Sequence, residues 1–148
     1  MDVKIVELEA MRVASSHAMG ASPEELAFAK MLKWAKAQNI LEGTRLFGFN
    51  NPNPEPDKPE YGYEVWMTVD KAIKASEDIT IRDFDGGLYA VTEVVGAENI
   101  MKTWQDFVNW QEHSDYQRGQ HQWLEEHLGS VEVPLEELHL KLYLPLMK

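Results

Sequence analysis

The sequence of 148 residues contains no cysteine. This excludes disulfide bonds, thiol nucleophiles and zinc sites built on thiolates. Long hydrophobic runs are missing as well, since no apolar segment approaches the roughly 20 residues that a membrane-spanning helix needs. Residues 1–9 carry no signal-peptide pattern. The composition therefore predicts a cytoplasmic protein with no membrane partner.

Basic residues are scarce, with 14 Lys and Arg against 25 Asp and Glu and a formal net charge of −11. A surface this acidic repels phosphate backbones, so we expect no direct binding of nucleic acid. Four histidines in the second half, His113, His121, His127 and His139, have no spacing typical of metal ligands. We predict neither a metal site nor a cofactor.

What the sequence does contain is an internal repeat. A shift of 76 residues carries Trp34 onto Trp110, and apolar positions match without a gap from residues 3–34 to residues 79–110. A repeat of this kind identifies a duplicated supersecondary unit. The length suits one compact domain, and 44% hydrophobic residues can form a core.

Hydrophobic periodicity predicts the same order of elements in both halves, a strand, a helix and two further strands. Ser22 is expected to cap the first helix, with Glu25 closing a capping box. Residues 50–60 hold four prolines and are predicted to form an exposed loop. The predicted strands cover residues 3–8, 11–19, 44–49, 61–69, 79–84, 88–95, 122–128 and 138–144, and the predicted helices cover about 22–39 and 99–113.

Several short motifs follow one another in a fixed order. They are Met11-Arg12-Val13-Ala14, Phe47-Gly48-Phe49-Asn50-Asn51-Pro52, Tyr63-Glu64-Val65, Gly87-Leu88-Tyr89-Ala90-Val91 with Gly96, Trp123-Leu124-Glu125 and Leu140-Lys141-Leu142-Tyr143-Leu144-Pro145. In this order they resemble the GyrI-like small-molecule-binding domain, which also serves as the effector-binding module of AraC- and MerR-type regulators. The resemblance covers nearly the whole chain.

The resemblance implies one α+β domain over residues 1–148, with half-repeats at about 1–69 and 78–148. It implies an antiparallel sheet with two helices on one face and a ligand cleft on the other. In related multidrug sensors, a buried glutamate among aromatic residues holds lipophilic cations, and Glu125 and Tyr143 match that glutamate and one of the aromatics. Lys141 stands where some relatives carry a second acid, which argues against a strict preference for cations.

Strand alternation predicts which side chains share the cleft. If the leucines at 138, 140, 142 and 144 pack under the helices, their neighbours face the other way. A shift of 77 residues places Glu64 and Trp66 on Lys141 and Tyr143. The residues predicted to bind the ligand are Phe47, Phe49, Glu64, Trp66, Tyr89, Trp123, Glu125, His127, His139, Lys141 and Tyr143.

Aromatic faces attract a cation with roughly 0.5–2 kcal/mol per contact, and a carboxylate among them supplies the opposite charge. These residues therefore predict a protein that binds or sequesters lipophilic, aromatic or cationic small molecules. The competing interpretation is that Trp66, Trp123 and Tyr143 are ordinary core residues and that Glu125 lies on the surface.

Two other functions stay open. Some GyrI-like proteins hydrolyse strained, cyclopropane-bearing electrophiles, which would make Glu125 a general base and Tyr143 or Tyr89 a proton donor. A regulatory role through a protein partner, such as gyrase or a transcription factor, is the other alternative, and a homodimer is compatible with either. We expect the chain to leave no room for a helix-turn-helix, so that any effect on transcription would need another chain.

Overall fold

A computed structural model describes residues 1–148 and shows an α+β fold, as predicted. The strands are β1 (Lys4–Leu8), β2 (Met11–Gly20), β3 (Leu46–Asn50), β4 (Tyr61–Thr68), β5 (Thr80–Phe84), β6 (Gly87–Val95), β7 (Leu124–Leu128) and β8 (His139–Pro145). The helices are α1 (Glu24–Gln38) and α2 (Ile100–Glu112), with short helical turns at Ala97–Asn99 and Leu135–Glu137. Neither helix combines the length and the apolar character that a membrane crossing requires.

The chain forms two compact units. The central unit is Met11–Phe84, and the terminal unit combines Met1–Ala10 with Asp85–Lys148. The central unit contains α1 and a sheet of strand order β3-β4-β2-β5, and the terminal unit contains α2 and a sheet of order β1-β6-β8-β7. Neighbouring strands within each of these sheets are antiparallel.

The core of the central unit lies between α1 and one face of its sheet. Met31 and Ala35 on the helix are fully buried and belong to one cluster with Tyr63, Val65 and Met67 on β4. The spacing of four residues on the helix and of two on the strand brings each set to one face. Glu64 and Trp66 consequently point to the opposite face.

The core of the terminal unit is built in the same way. Phe107 of α2 is fully buried and clusters with Leu140, Leu142 and Leu144 of β8. The alternation predicted for this strand is confirmed, because its leucines pack with the helix. Tyr143 therefore faces away from α2.

The strand registers of the two units correspond under the 76-residue shift, and they contain an exchange that the sequence pattern does not reveal. Lys4 on β1 pairs with Val91 on β6, and Thr80 on β5 pairs with Ser15 on β2. Both pairs are related by the 76-residue shift. The first strand of each sequence repeat is thus bonded to the second strand of the other repeat.

The start of α1 differs from the prediction. The helix begins at Glu24, and the N-cap position is held by Pro23 without any side-chain cap hydrogen bond. Proline has no side-chain acceptor, and its φ of −76° with ψ of −13° already continues into the helix. The predicted cap by Ser22 and capping box with Glu25 are wrong.

Candidate functional site

The sheet face opposite α1 in the central unit carries a buried carboxylate. Glu64 is 3% exposed, although an ionised side chain is costly to bury without partners. Its Oε2 accepts hydrogen bonds from Ser15 Oγ at 2.6 Å and from Trp66 Nε1 at 2.7 Å. Its Oε1 accepts a third from Asn51 Nδ2 at 3.0 Å. Three neutral donors on three different segments therefore fix both oxygens.

A positively charged side chain, that of Arg82, also lies beside the Glu64 carboxylate. Arg82 Nε on β5 lies 3.2 Å from Glu64 Oε2. Burial works to raise the pKa of Glu64, but the three hydrogen bonds and the Arg82 charge outweigh it and lower the pKa below its ordinary value. Glu64 is therefore a carboxylate that stays ionised in a buried place.

Aromatic rings pack against Trp66, which is one of the donors to this carboxylate. The Trp66 ring meets Phe49 edge to face, with ring centroids 4.8 Å apart and planes at 81°. On its other side Trp66 lies 5.2 Å from the ring of Phe84. Phe47 is fully buried, and the Arg45 guanidinium lies 5.1 Å from the centre of its ring. We call Glu64, Trp66, Phe49, Phe84 and Arg82 the Glu64 cluster.

The terminal unit has its own carboxylate on the face opposite α2, and it is Glu126. This side chain is 6% exposed and accepts a hydrogen bond of 2.6 Å from the Tyr143 hydroxyl. Tyr143 meets Tyr89 edge to face, with centroids 5.5 Å apart and planes at 90°. Lys141 is the direct cross-strand partner of Glu126. We call these four residues the Glu126 cluster.

Tyr89 is a fully buried phenol at the edge of the Glu126 cluster. Its hydroxyl donates to the backbone carbonyl of Gln122, and its ring lies 4.8 Å from that of His121. Burial and, to a smaller extent, the nearby Tyr143 raise the pKa of Tyr89. A phenol that holds its proton so firmly is suited to packing and hydrogen bonding.

Three residues predicted to face the cleft lie on the helix side of the sheet. Glu125 Oε2 accepts a hydrogen bond of 2.8 Å from Trp104 Nε1 on α2. Trp123 packs on the same Trp104, with ring centroids 5.5 Å apart. Because both residues contact α2, the prediction that Glu125 and Trp123 face the cleft is wrong. Alternation along the strand places Glu126, the next residue, on the opposite face.

His127 also lies on the helix side of the sheet and not on the predicted cleft side. It pairs with Leu140, which packs with α2, so it too belongs to the helix side. Both ring nitrogens are shielded from solvent, and burial lowers the pKa of His127 to about 4. It is a neutral histidine at physiological pH. His139, at the end of β8, has Nε2 3.1 Å from a Glu93 oxygen and is half-exposed.

The sequence held a signal that would have corrected these assignments. The shift of 77 residues that relates β4 to β8 also relates β3 to β7, since the cross-strand pairs Phe49–Glu64 and Glu126–Lys141 coincide under it. Applied to Phe49, this shift gives Glu126 as the residue on the shared face. Arg82 and Asn51 were missed for a different reason, because their contacts with Glu64 link distant segments that no local pattern relates.

The match to known families comes from the whole chain. The model of the integron-associated effector binding protein family, Cass2, matches residues 4–146. This chain belongs to that family. The resemblance to GyrI-like effector-binding domains is confirmed by this match and by the solved structures that share the fold. A search of curated protein sequences gives no match.

Three solved proteins share the fold at 13% sequence identity, a level that establishes the fold alone. The EcmrR C-terminal domain has a TM-score of 0.75 over 99% of this chain and 98% of its own. In the EcmrR–DNA complex the TM-score is 0.76, and this chain spans 57% of the length of the EcmrR chain. A hydrolase from Listeria innocua has a TM-score of 0.68 over 99% and 92% of the two chains. SAV2435 bound to tetraphenylphosphonium has a TM-score of 0.61 over 99% and 94%.

Proposed function

We propose that this member of the effector-binding family binds a lipophilic, aromatic cation at the Glu64 cluster. The observation that carries the proposal is a carboxylate with 3% exposure that three neutral side chains hold in place beside aromatic rings. The lowered pKa of Glu64 agrees with this geometry. Three neutral hydrogen bonds hold this negative charge in a fixed position, where a bound cation can interact with it. A protein of the same fold was solved with tetraphenylphosphonium, a lipophilic cation.

The surroundings of Glu64 suit such a ligand. Trp66 lies between Phe49 and Phe84, so aromatic surface adjoins the carboxylate. A ring face contributes roughly 0.5–2 kcal/mol to cation binding, more when the cation loses its water. Because Ser15 and Asn51 hold the carboxylate in advance, little conformational entropy is lost on binding.

The test is a calorimetric titration with tetraphenylphosphonium on the wild type and on Glu64→Gln. We expect saturable binding that weakens at least about tenfold in the variant, which corresponds to about 1.4 kcal/mol. Glu77→Gln is the matched control, because it removes one acidic charge from an exposed position of the same unit. Equal affinity in all three proteins would remove Glu64 from the site, and no binding to any of them would refute cation binding.

The Glu126 cluster favours a second candidate, hydrolysis of strained electrophiles. The 2.6 Å hydrogen bond places a carboxylate and a phenol side by side, the pair that such chemistry needs. Glu126 would accept a proton from water as the water oxygen bonds to the strained carbon. Tyr143 would protonate the carbon released when the ring bond breaks. This assigns to Glu126 the role that sequence analysis gave to Glu125.

The hydrolase candidate is tested by incubating the protein with cyclopropane-bearing electrophiles and measuring ring-opened product. Glu126→Gln and Tyr143→Phe should each reduce turnover by about a hundredfold or more. Glu125→Gln is the control and should leave turnover unchanged, since Glu125 lies on the other face of the sheet. Turnover that survives both substitutions in the Glu126 cluster would sink this mechanism.

A further inference from the structure

The Glu64 cluster already contains a cation of its own. The Arg82 guanidinium lies with Nε 3.2 Å from Glu64 Oε2. The two partners differ sharply in exposure, with 56% of the Arg82 side chain accessible to solvent against 4% for Glu64. Phe49 and Trp66 are likewise buried at 6% and 7%. Arg82 is therefore the solvent-facing end of this cluster.

We propose that Arg82 is a displaceable internal counter-ion that sets which charge the Glu64 site accepts, so that a ligand cation binds by taking the place of the guanidinium. This inference rests on the proposed function of the Glu64 cluster. It makes Arg82 a specificity-determining residue. An incoming monovalent cation must compete with it, whereas a neutral aromatic molecule of similar shape does not.

The cost of displacing Arg82 is small. With 56% of its side chain already exposed, the guanidinium gives up little hydration in the ion pair and regains water readily when it leaves. Arg82 also sits on β5, which lies at the end of the central sheet and pairs there with β2 alone. Its side chain can swing outward without disturbing a second neighbouring strand of that sheet.

Glu64 keeps its place when Arg82 leaves. The hydrogen bonds from Ser15, Trp66 and Asn51 come from neutral groups on β2, β4 and the residue after β3. These donors continue to satisfy both carboxylate oxygens. The exchange thus replaces one positive charge by another beside a fixed anion, and it leaves no buried charge without a partner.

The duplicated half shows that the arginine is not required by the scaffold. The 76-residue shift places Val6 of β1 at the position of Arg82. Val6 is 37% exposed and occupies the matching place on its own terminal strand. An uncharged side chain is therefore compatible with this strand position, and Arg82 can be replaced without loss of the fold.

The experiment compares tetraphenylphosphonium with the neutral triphenylphosphine oxide by calorimetry on the wild type and Arg82→Gln. We expect the variant to bind tetraphenylphosphonium about fivefold more tightly, the upper end for such an ion pair, and to bind the neutral compound as the wild type does. Lys74→Gln is the matched control, because it removes an exposed positive charge of the same unit. Arg82→Lys keeps a positive charge at this position, so its affinity for tetraphenylphosphonium should be close to that of the wild type.

The outcomes separate this inference from the proposed function. If the wild type binds the cation and Arg82→Gln binds it equally or more weakly, the counter-ion role is refuted while cation binding stands. If Lys74→Gln gains as much as Arg82→Gln, the gain is a general charge effect, and the inference is overturned. If neither the wild type nor Arg82→Gln binds the cation, both proposals fall. A gain in Arg82→Gln that Glu64→Gln abolishes in the double variant supports both.

Discussion

The central and terminal units share a scaffold and differ in where they put charge. The cross-strand pair Phe49–Glu64 of the central unit corresponds to the pair Glu126–Lys141 of the terminal unit. The acid has thus moved from one strand of the pair to the other, and a lysine has taken its former place. The two units keep corresponding positions and faces, while the side chains at those positions differ in charge.

The units also differ in how the buried acid is held. Glu64 accepts hydrogen bonds from an alcohol, an indole and an amide and has an arginine beside it. Glu126 accepts a hydrogen bond from a phenol, and a lysine pairs with it across the strands. The first arrangement is the basis of the proposed cation binding. The second joins an acid to a phenol, as the hydrolase candidate would require.

Truncating a buried side chain in either core should lower the free energy of unfolding more than any other change considered below. Met31 and Phe107 are related by the 76-residue shift and are both fully buried. Phe107→Ala should lower the free energy of unfolding by about 4 kcal/mol and Met31→Ala by about 3 kcal/mol, since the larger ring leaves the larger cavity. Urea denaturation followed by tryptophan fluorescence measures both.

Met101→Ala serves as the control for these core variants, because Met101 is 74% exposed and its truncation should change stability by less than about 0.5 kcal/mol. A Phe107→Ala protein as stable as the Met101→Ala protein would contradict the packing described for α2.

His127 should make the terminal unit sensitive to mild acid. Its pKa is about 4 in the folded protein and 6.5 ordinarily, so below pH 6.5 the unfolded chain binds a proton that the folded one refuses. Stability should therefore fall by about 3 kcal/mol between pH 6.5 and pH 4. His127→Gln should remove this loss, as measured by urea denaturation at several pH values. His113 is exposed, so His113→Gln should show the same loss of stability in acid as the wild type. Equal pH dependence in the wild type and in His127→Gln would count against a buried neutral histidine.

Glu64 should make the stability of the central unit depend on pH, in a lower pH range than His127 does for the terminal unit. Its folded pKa lies below the ordinary value of 4.5, so its stabilisation is complete above that value and is lost as the pH falls through the folded pKa. Glu64→Gln should cost about 2 kcal/mol at pH 7, because charged hydrogen bonds are lost. The difference from the wild type should shrink progressively below pH 4.5. A difference that is constant down to pH 2 would show that the carboxylate charge contributes nothing.

The two helix ends should give the smallest effects, and these should have opposite signs. Asn39 closes α1 in the left-handed region with φ of 58°, whereas His113 closes α2 with φ of −97°. Glycine adopts positive φ without strain, so Asn39→Gly should stabilise by about 0.5 kcal/mol. His113→Gly should destabilise by about 0.5–1 kcal/mol, since glycine there only adds freedom to the unfolded chain. Thermal unfolding measures both, and shifts of the same sign would contradict this account.

The sequence allowed the elements and the facing of β4 and β8 to be predicted because these depend on local periodicity. Leu140, Leu142 and Leu144 alternate over a strand long enough to identify its buried face. β7 has five residues and was assigned from its own alternation with Trp123, which lies just before the strand. A short strand tolerates a shift of one residue in such an argument, so the alternation predicted for β7 agreed with the motif match at Glu125 and did not indicate Glu126.

The contacts around Glu64 were beyond sequence patterns for another reason. Ser15, Asn51 and Arg82 come from three segments, and their meeting depends on which strand pairs with which. Hydrophobic periodicity records the face of a strand and says nothing about its neighbours. The family resemblance supplied a fold and an expected acid, but the partners of an acid are particular to each chain.

The exchanged first strand has a consequence for how the protein is made. During synthesis β1 leaves the ribosome before β2 to β5, yet its partner is β6, and Lys4 cannot pair until Val91 has been synthesised. The central unit, by contrast, has all of its residues once Phe84 is out. We therefore expect the central unit to fold while β1 is still unpaired. This order is opposite to the usual N-terminal-first assembly.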